Sequence, residues 1–274
     1  MPRFAANLSL LYPHLPFLER FGAAAADGFQ AVEYLFPYAY PAQLLQQQLQ
    51  RYGLQQVLFN APPGGANLAA MAQAWDGGWR GTLCLPGQEA VFQAGIHQAL
   101  AYAQVLQCPR IHVMAGLVPQ GVSPAVLWET ACRNLAWAAQ EAAESGVQVL
   151  VEPINHRDMP GYYLQYQAQA HDLVQALQAS NAKVQMDLYH CQIMEGDVTT
   201  KLRQYVPTGR VAHIQVAGVP QRHEPDVGEL HYPYVWQVLD ELGYDGWVGC
   251  EYRPRQDTSA GLRWMPRGLS AVPS

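Results

Sequence analysis

Four oxygen-bearing side chains stand at or near the ends of short apolar runs in the second half of the chain: Glu152, Asp187, Gln215 and Glu251. Three carboxylates brought together away from water would repel one another, so they need a positive counter-charge. Carboxylate and amide oxygens are ligands that suit Mg²⁺ and Mn²⁺. The four residues therefore predict a divalent-metal site, with magnesium expected first and manganese second. The alternative for each carboxylate by itself is a salt bridge or a helix cap.

Eight strand-like runs alternate with helix-like stretches along the chain. The runs occupy residues 4–8, 31–35, 55–59, 110–114, 147–151, 183–186, 211–216 and 247–250. This alternation predicts an α/β fold with a parallel sheet, and eight units favour closure into a single (β/α)₈ TIM barrel domain over residues 1–274. An open doubly wound sheet is the alternative. Active sites of such barrels lie at the C-terminal ends of the strands, where the four side chains fall.

The stretch from residue 60 to about residue 88 is long and rich in Gly, Pro and Trp. A loop of this length inside a compact domain is usually functional or carries small elements of its own. We therefore expect this stretch to matter for the site or to hide secondary structure.

Composition limits the classes of partner. Half of the residues are hydrophobic, 14% are charged and the net charge is −6, with no cluster of Lys or Arg, which disfavours nucleic acid. Five cysteines without a CxxC pair indicate free thiols in a reducing compartment. No run suits a signal peptide or a membrane span, so we expect a cytoplasmic protein. The oligomeric state stays open, a homo-oligomer included.

Several longer segments carry a family resemblance. They are Pro2-Arg3-Phe4-Ala5-Ala6-Asn7-Leu8-Ser9 at the start, Arg222-His223-Glu224-Pro225, and Gly243-Tyr244-Asp245-Gly246-Trp247-Val248-Gly249-Cys250-Glu251-Tyr252 near the end. In this order and over nearly the full length, the chain resembles the hydroxypyruvate isomerase family, within the xylose-isomerase-like barrel superfamily.

The resemblance implies an intramolecular aldose–ketose isomerase that interconverts hydroxypyruvate and tartronate semialdehyde through a metal-stabilised enediolate. Close relatives act on a four-carbon 2-oxo-tetronate, and isomerases of that kind or related sugar epimerases are the alternative. By the match, Glu152, Asp187, Gln215 and Glu251 would hold the metal, and Glu152 and Glu251 would move the proton. The substrate is a small 2-oxo or hydroxy acid.

Three further residues are expected to contact the substrate: His190, Arg222 and Glu33. His190 and Glu33 match family positions, and Glu33 could instead brace a neighbour. The substrate carboxylate needs a cation or oriented donors, for which Arg222 is the first candidate and Arg80 and Arg253 are the alternatives. The family pattern leads us to expect an acidic residue beside Arg80-Gly81, and its absence leaves the substrate preference open.

Two other functional classes share this barrel. Endonuclease-like relatives would need more histidine ligands for a zinc cluster and a basic face, neither of which the sequence offers. A sugar-binding protein without catalysis would tolerate loss of the glutamate pair with binding intact.

Overall fold

A computed structural model describes residues 2–65 and 67–266. Eight parallel strands pair in sequence order, and the first pairs with the last, so the sheet is a closed barrel. The strands are β1 (Arg3–Asn7), β2 (Ala31–Tyr34), β3 (Gln55–Asn60), β4 (Arg110–His112), β5 (Gln148–Val151), β6 (Ala182–Asp187), β7 (Val211–Val216) and β8 (Trp247–Cys250). The predicted barrel is confirmed, and the open sheet is excluded. The prediction of one domain over 1–274 reaches beyond the described residues.

Helices surround the barrel. They are α1 (Arg20–Ala26), α2 (Ala42–Tyr52), α3 (Leu68–Asp76), α4 (Glu89–Leu106), α5 (Pro124–Ala143), α6 (Gln167–Leu177), α7 (Leu188–Met194), α8 (Val198–Tyr205), α9 (Tyr232–Glu241) and α10 (Thr258–Gly261). Short 3₁₀ turns occupy Phe17–Glu19, Val206–Thr208 and Leu262–Trp264. No helix among them is long and apolar enough to cross a membrane.

Local sequence explains where the longest helix begins and which face it buries. The Ser123 hydroxyl accepts the Val126 N–H at 3.4 Å, and Pro124 occupies the first turn, where its missing N–H is not needed. The buried face then repeats at helical spacing through Leu127, Ala131, Leu135, Ala138 and Ala142. This stripe packs against the outer face of the barrel.

The strands send alternate side chains to the two faces of the sheet. Phe4 and Ala6 belong to the large core between barrel and helices, so Ala5 and Asn7 point into the barrel. Near the N-terminal ends of the strands the interior is apolar, with a small cluster of Ala5, Ala31, Val57 and Trp247. Towards the C-terminal ends it becomes polar, and this polar layer forms the floor of the site.

The stretch 61–88 contains α3, in agreement with the expectation that it carries an element of its own, although the sequence did not predict the bounds of that helix. The C-terminal part of this stretch is joined to the barrel through an isolated antiparallel bridge between Gly81 and Ala115, just after β4. Gly81 has a φ of 123°, and a Cβ there would lie 2.5 Å from the carbonyl carbon of Met114. Only glycine allows this close approach.

Candidate active site

A cavity of about 240 Å³ opens at the C-terminal ends of the strands. Its apolar lining includes leucines, methionines and Trp75. Its polar lining is Asn60, Arg80, His112, Glu152, Asp158, Gln185, His190, Arg222, Glu251 and Arg253. Most of the residues predicted for the site therefore face one space, and they reach it from strand ends or from the loops that follow them.

The predicted carboxylates Glu152, Asp187 and Glu251 are all buried at this rim. Burial raises the pKa of Glu152 well above its ordinary value, and the charges of Glu251 and Asp187 raise it further. Burial also raises the pKa of Glu251 to about 8 and that of Asp187 to about 6, although Arg222 opposes both shifts. The cluster thus carries more negative charge than its surroundings favour.

The two carboxylate oxygens of Asp187 have different surroundings. Oδ1 accepts the N–H of Tyr189 at 2.7 Å and that of His190 at 3.3 Å, so this residue caps α7 directly after β6. Oδ2 is fully buried and accepts no hydrogen bond from any described residue. A buried carboxylate oxygen that accepts no hydrogen bond is costly, and a ligand or cation would satisfy it.

Arg222 is the cation nearest to the cluster. Its guanidinium donates to Glu251 at 2.6 Å and to Asp158 at 2.9 Å, and it lies 4.0 Å from Asp187. Burial disfavours its charge, but the surrounding carboxylates, Glu251 first, raise its pKa. Arg222 has a φ of 59°, and its carbonyl accepts the Arg253 N–H, which ties the loops after β7 and β8 together. The predicted substrate-binding arginine thus faces the cavity while paired with two acids.

His190 has a defined tautomer. Oδ1 of Asn155 accepts the N–H groups of Arg157 and Asp158, so the Asn155 amide nitrogen faces His190 Nδ1 at 2.6 Å. The Asn155 backbone N–H also points to Nδ1, which must therefore be the acceptor. The ring proton then sits on Nε2, which lies 3.6 Å from Asp187 and 4.0 Å from Glu152. Burial lowers the pKa of His190 well below its ordinary value, so the ring is a neutral donor.

Glu33 lies beneath the cavity rather than in its lining, and it is 1% exposed. Its carboxylate accepts hydrogen bonds from Gln215 at 2.7 Å and Asn7 at 3.0 Å, and it lies 2.6 Å from Nε2 of His213. Because the amide nitrogen of Gln215 donates to Glu33, the Oε1 atom of Gln215 points away from Glu33 and accepts a hydrogen bond from Gln185 at 2.6 Å. Glu33 is therefore placed to orient Gln215, and His213 and Gln215 both face the interior, as their spacing predicts.

Gly249 makes room for this buried carboxylate. It lies between β1 and β7, paired with Ala5 and Gln215. A Cβ built on Gly249 would lie 2.5 Å from the carboxyl carbon of Glu33. The Glu33 carboxylate, which comes from β2, thus packs on the backbone of β8 at Gly249, with β1 lying between the two strands.

Comparison with known proteins agrees with this architecture. The family model of the xylose isomerase-like TIM barrel matches residues 21–268. A 2-oxo-tetronate isomerase of Cupriavidus necator is 56% identical over 97% of this chain and 98% of its own length. The hydroxypyruvate isomerase of Escherichia coli is 40% identical over 97% and 98%. The chain belongs to the xylose isomerase-like TIM barrel family.

Two solved structures show the same barrel. A Brucella melitensis protein described as an AP endonuclease of family 2 superposes with a TM-score of 0.90 at 46% identity, over 96% of this chain and 98% of that one. An E. coli 3-keto-D-glucoside 4-epimerase, at 20% identity and a TM-score of 0.75, shares the fold. The relatives at 40% identity or more over nearly the whole chain include named isomerases, which supports an enzyme of isomerase type here.

Within the family fold, the residues of the site fit a divalent cation. Glu152, Asp187 and His190 each offer an atom within 4.8 Å of the others. The His190 tautomer places a proton on the nitrogen that would bind, so the oxygens of Glu152 and Asp187 are the better donors. The buried Oδ2 of Asp187 and the oriented Oε1 of Gln215 add hard oxygen donors, while Glu251 is engaged with Arg222.

Four polar residues of the site were not found by sequence reasoning: Asn60, Asn155, Asp158 and Gln185. Asn60 ends β3, and its Oδ1 lies 3.2 Å from Nδ1 of His112. Burial lowers the pKa of His112 to about 3. Gln185 precedes Asp187 by two residues, so strand alternation alone could have placed it on the interior face. Asn155 and Asp158 carry no comparable signal, since they lie in an irregular loop.

Proposed function

We propose that this chain is a metal-dependent isomerase that moves the carbonyl of a short 2-oxo acid from C2 to C3. In hydroxypyruvate this exchange gives tartronate semialdehyde. The observation that supports it most is the pair Glu152 and Glu251, which line one small cavity from β5 and β8, both with pKa values raised by burial. A carboxyl group whose pKa is raised holds a proton more readily, so it can return a proton as well as take one.

The cation would be held by Glu152, Asp187, Gln215 and Glu251, with Mg²⁺ expected first and Mn²⁺ second. When bound, it supplies positive charge beside the two oxygens between which the carbonyl moves. Binding would require Glu251 to share its carboxylate with Arg222, which now holds it at 2.6 Å.

The protein side chains would move the protons. One glutamate removes the proton from C3, the C–H electrons form the C2–C3 double bond of an enediolate, and the other glutamate delivers a proton to C2. A second proton passes from the C3 oxygen to the C2 oxygen, so no electron donor or acceptor is consumed. Nε2–H of His190 is oriented to donate to one of these oxygens, because Asn155 occupies Nδ1.

A four-carbon acid is the second candidate substrate. The 2-oxo-tetronate isomerase of C. necator is the more similar of the two isomerases compared, at 56% identity against 40%. The longer acid carries the same reacting carbons with a hydroxymethyl group on C3, so one mechanism serves both. DNA cleavage, suggested by the name of the Brucella structure, is not favoured by a net charge of −6 and an acidic cavity.

The test is isomerisation of hydroxypyruvate and of 2-oxo-tetronate by the purified protein, before and after chelator treatment and readdition of Mg²⁺ or Mn²⁺. We expect activity that disappears with the chelator and returns with metal. Glu152→Gln and Glu251→Gln should each lose roughly 10²- to 10⁴-fold in kcat.

Glu224→Gln is the matched control, because Glu224 is a buried glutamate outside the cavity that pairs with Arg255. Its kcat should stay near that of the wild type even if it melts earlier. Near-normal turnover by either active-site variant would remove that glutamate from the mechanism. Failure of both acids to react with metal present would refute the isomerase proposal.

A further inference from the structure

We propose that Arg80, and not Arg222, binds the carboxylate of the substrate. This inference rests on the proposed function, which requires an acid group beside the reacting carbons. Three arginines line the cavity: Arg80, Arg222 and Arg253. They differ in whether acids of the protein already neutralise their positive charge, as for Arg222, and in how exposed the side chain is, with Arg253 more exposed than Arg80.

The charge of Arg222 is already neutralised. Its terminal nitrogens pair with Glu251 at 2.6 Å and Asp158 at 2.9 Å, and Asp187 lies 4.0 Å away. A substrate carboxylate placed there would displace a partner and approach the remaining acids, which repel it. Arg222 is therefore suited to hold the acidic cluster together rather than to attract another anion.

Arg80 has no acid partner in the described part of the chain, although it lines the same cavity. Its guanidinium stacks 4.5 Å above the ring of Trp75, which in turn packs edge-on against Phe36 at 5.2 Å. A stacked guanidinium keeps its fork of N–H donors free at the edge, where it can meet both oxygens of a carboxylate.

The backbone at Arg80 is also fixed. Its φ is 52°, its N–H reaches the Ala74 carbonyl at 3.3 Å, and the following Gly81 N–H donates to Pro63 at 3.1 Å. The bridge of Gly81 to Ala115 joins this turn to the exit of β4. Because the side chain is held before binding, little conformational entropy is lost when it pairs with an acid.

The position of Arg80 around the barrel would place the two ends of the substrate on opposite sides of the cavity. Arg80 is anchored at β4, which lies opposite β8 in the closed order of eight strands. Arg253 follows β8 and has an exposed side chain, so its charge remains in contact with water. An acid group on Arg80 would therefore point the rest of the molecule across the mouth, towards Glu251 and Arg222.

The test compares Arg80→Gln, Arg80→Lys and Arg253→Gln, which removes the competing arginine, on whichever 2-oxo acid the wild type converts. We expect Arg80→Gln to raise KM about 10- to 100-fold, as for loss of a charge-assisted bidentate contact, with kcat within about threefold. Arg80→Lys should recover part of the loss, because it keeps the charge without the fork. Inhibition by dihydroxyacetone, in which a hydroxymethyl group replaces the carboxylate, should be unchanged in all three.

An unchanged KM in Arg80→Gln would overturn the proposal, and so would the same rise in Arg253→Gln. Equal weakening of the acid and of dihydroxyacetone would also overturn it, since that pattern means a distorted site. Binding of D-glycerate, measured by calorimetry, separates this inference from the proposed function. If the wild type converts neither acid but binds glycerate, and Arg80→Gln does not, the isomerase proposal fails and the Arg80 site stands. If the wild type does not bind glycerate, the Arg80 site fails too.

Discussion

Replacing Gly249 by alanine tests whether the floor of the site depends on the packing of Glu33. The added Cβ would lie 2.5 Å from the carboxyl carbon of Glu33, whereas ordinary contacts begin at 3.4 Å. The carboxylate must therefore move by about an ångström. Its hydrogen bonds, now 2.7 Å from Gln215 and 3.0 Å from Asn7, would then exceed the usual limit of ~3.2 Å.

The expected magnitude follows from these losses. Forcing a methyl group into a packed interior costs about 1–3 kcal/mol, and each hydrogen bond lost from a charged group costs about 1.5–3 kcal/mol. Gly249→Ala should therefore lower the free energy of unfolding by about 3 kcal/mol or more. For a chain of this size the melting temperature should fall by roughly 6–12 °C. Because Gln215 loses its fixed orientation, kcat should fall as well.

The assay is thermal unfolding followed by circular dichroism, together with isomerase kinetics. Gly95→Ala is the matched control, because its Cβ would meet Pro62 at an ordinary 3.6 Å inside α4. That change should be neutral or stabilise by about 0.5–1 kcal/mol. In the double variant Glu33→Ala/Gly249→Ala the clash is gone, so its destabilisation should be smaller than the sum of the two by more than about 1 kcal/mol. A Gly249→Ala protein with wild-type melting and turnover would refute this account of the floor.

Two further predictions concern residues outside the cavity. His171 is buried and stacks on Tyr205 at 3.8 Å, and burial lowers its pKa to about 4. Because the unfolded chain binds the proton more readily, about 3 kcal/mol of stability should be lost as the pH falls from 6.5 towards 4. His171→Phe should flatten this part of the curve of melting temperature against pH, and an unchanged curve would contradict the assignment. Of the five cysteines only Cys132 is partly exposed, so one thiol should react with a disulfide reagent in the native protein and five after unfolding. Rapid reaction of several native thiols would contradict the buried positions, and Cys132→Ser should abolish the native reaction.

The sequence predicted the barrel and the strand-end residues because both depend on local pattern. Apolar runs such as the one before Glu152 are long enough for one strand, and the polar residue that ends each run falls at the rim. Asp187 and His190 are three residues apart, and one turn of α7 brings them together. Structure that depends on a single strand or a single helical turn could therefore be predicted from the sequence.

The hydrogen bonds and ion pairs that determine the role of each residue could not be predicted from local pattern, because they join residues that are far apart in the sequence. Glu33 meets Gln215 across 182 positions of sequence, and Arg222 reaches Glu251 from a neighbouring loop. The tautomer of His190 depends on how the Asn155 amide is turned, which only the folded loop determines. The bounds of helix α3 were not predicted because glycines and prolines flank its short Ala-rich sequence.

The stretch 61–88, between β3 and β4, has a consequence for how such enzymes can acquire new substrates. The proposed proton-moving glutamates follow strands β5 and β8, whereas Arg80 belongs to the segment between β3 and β4, which the bridge of Gly81 to Ala115 attaches to the barrel. If both proposals hold, separate stretches of the chain bind the acid group and move the protons. Exchange of residues 61–88 between homologues could redirect substrate choice in one step, while the inherited catalytic frame stays intact.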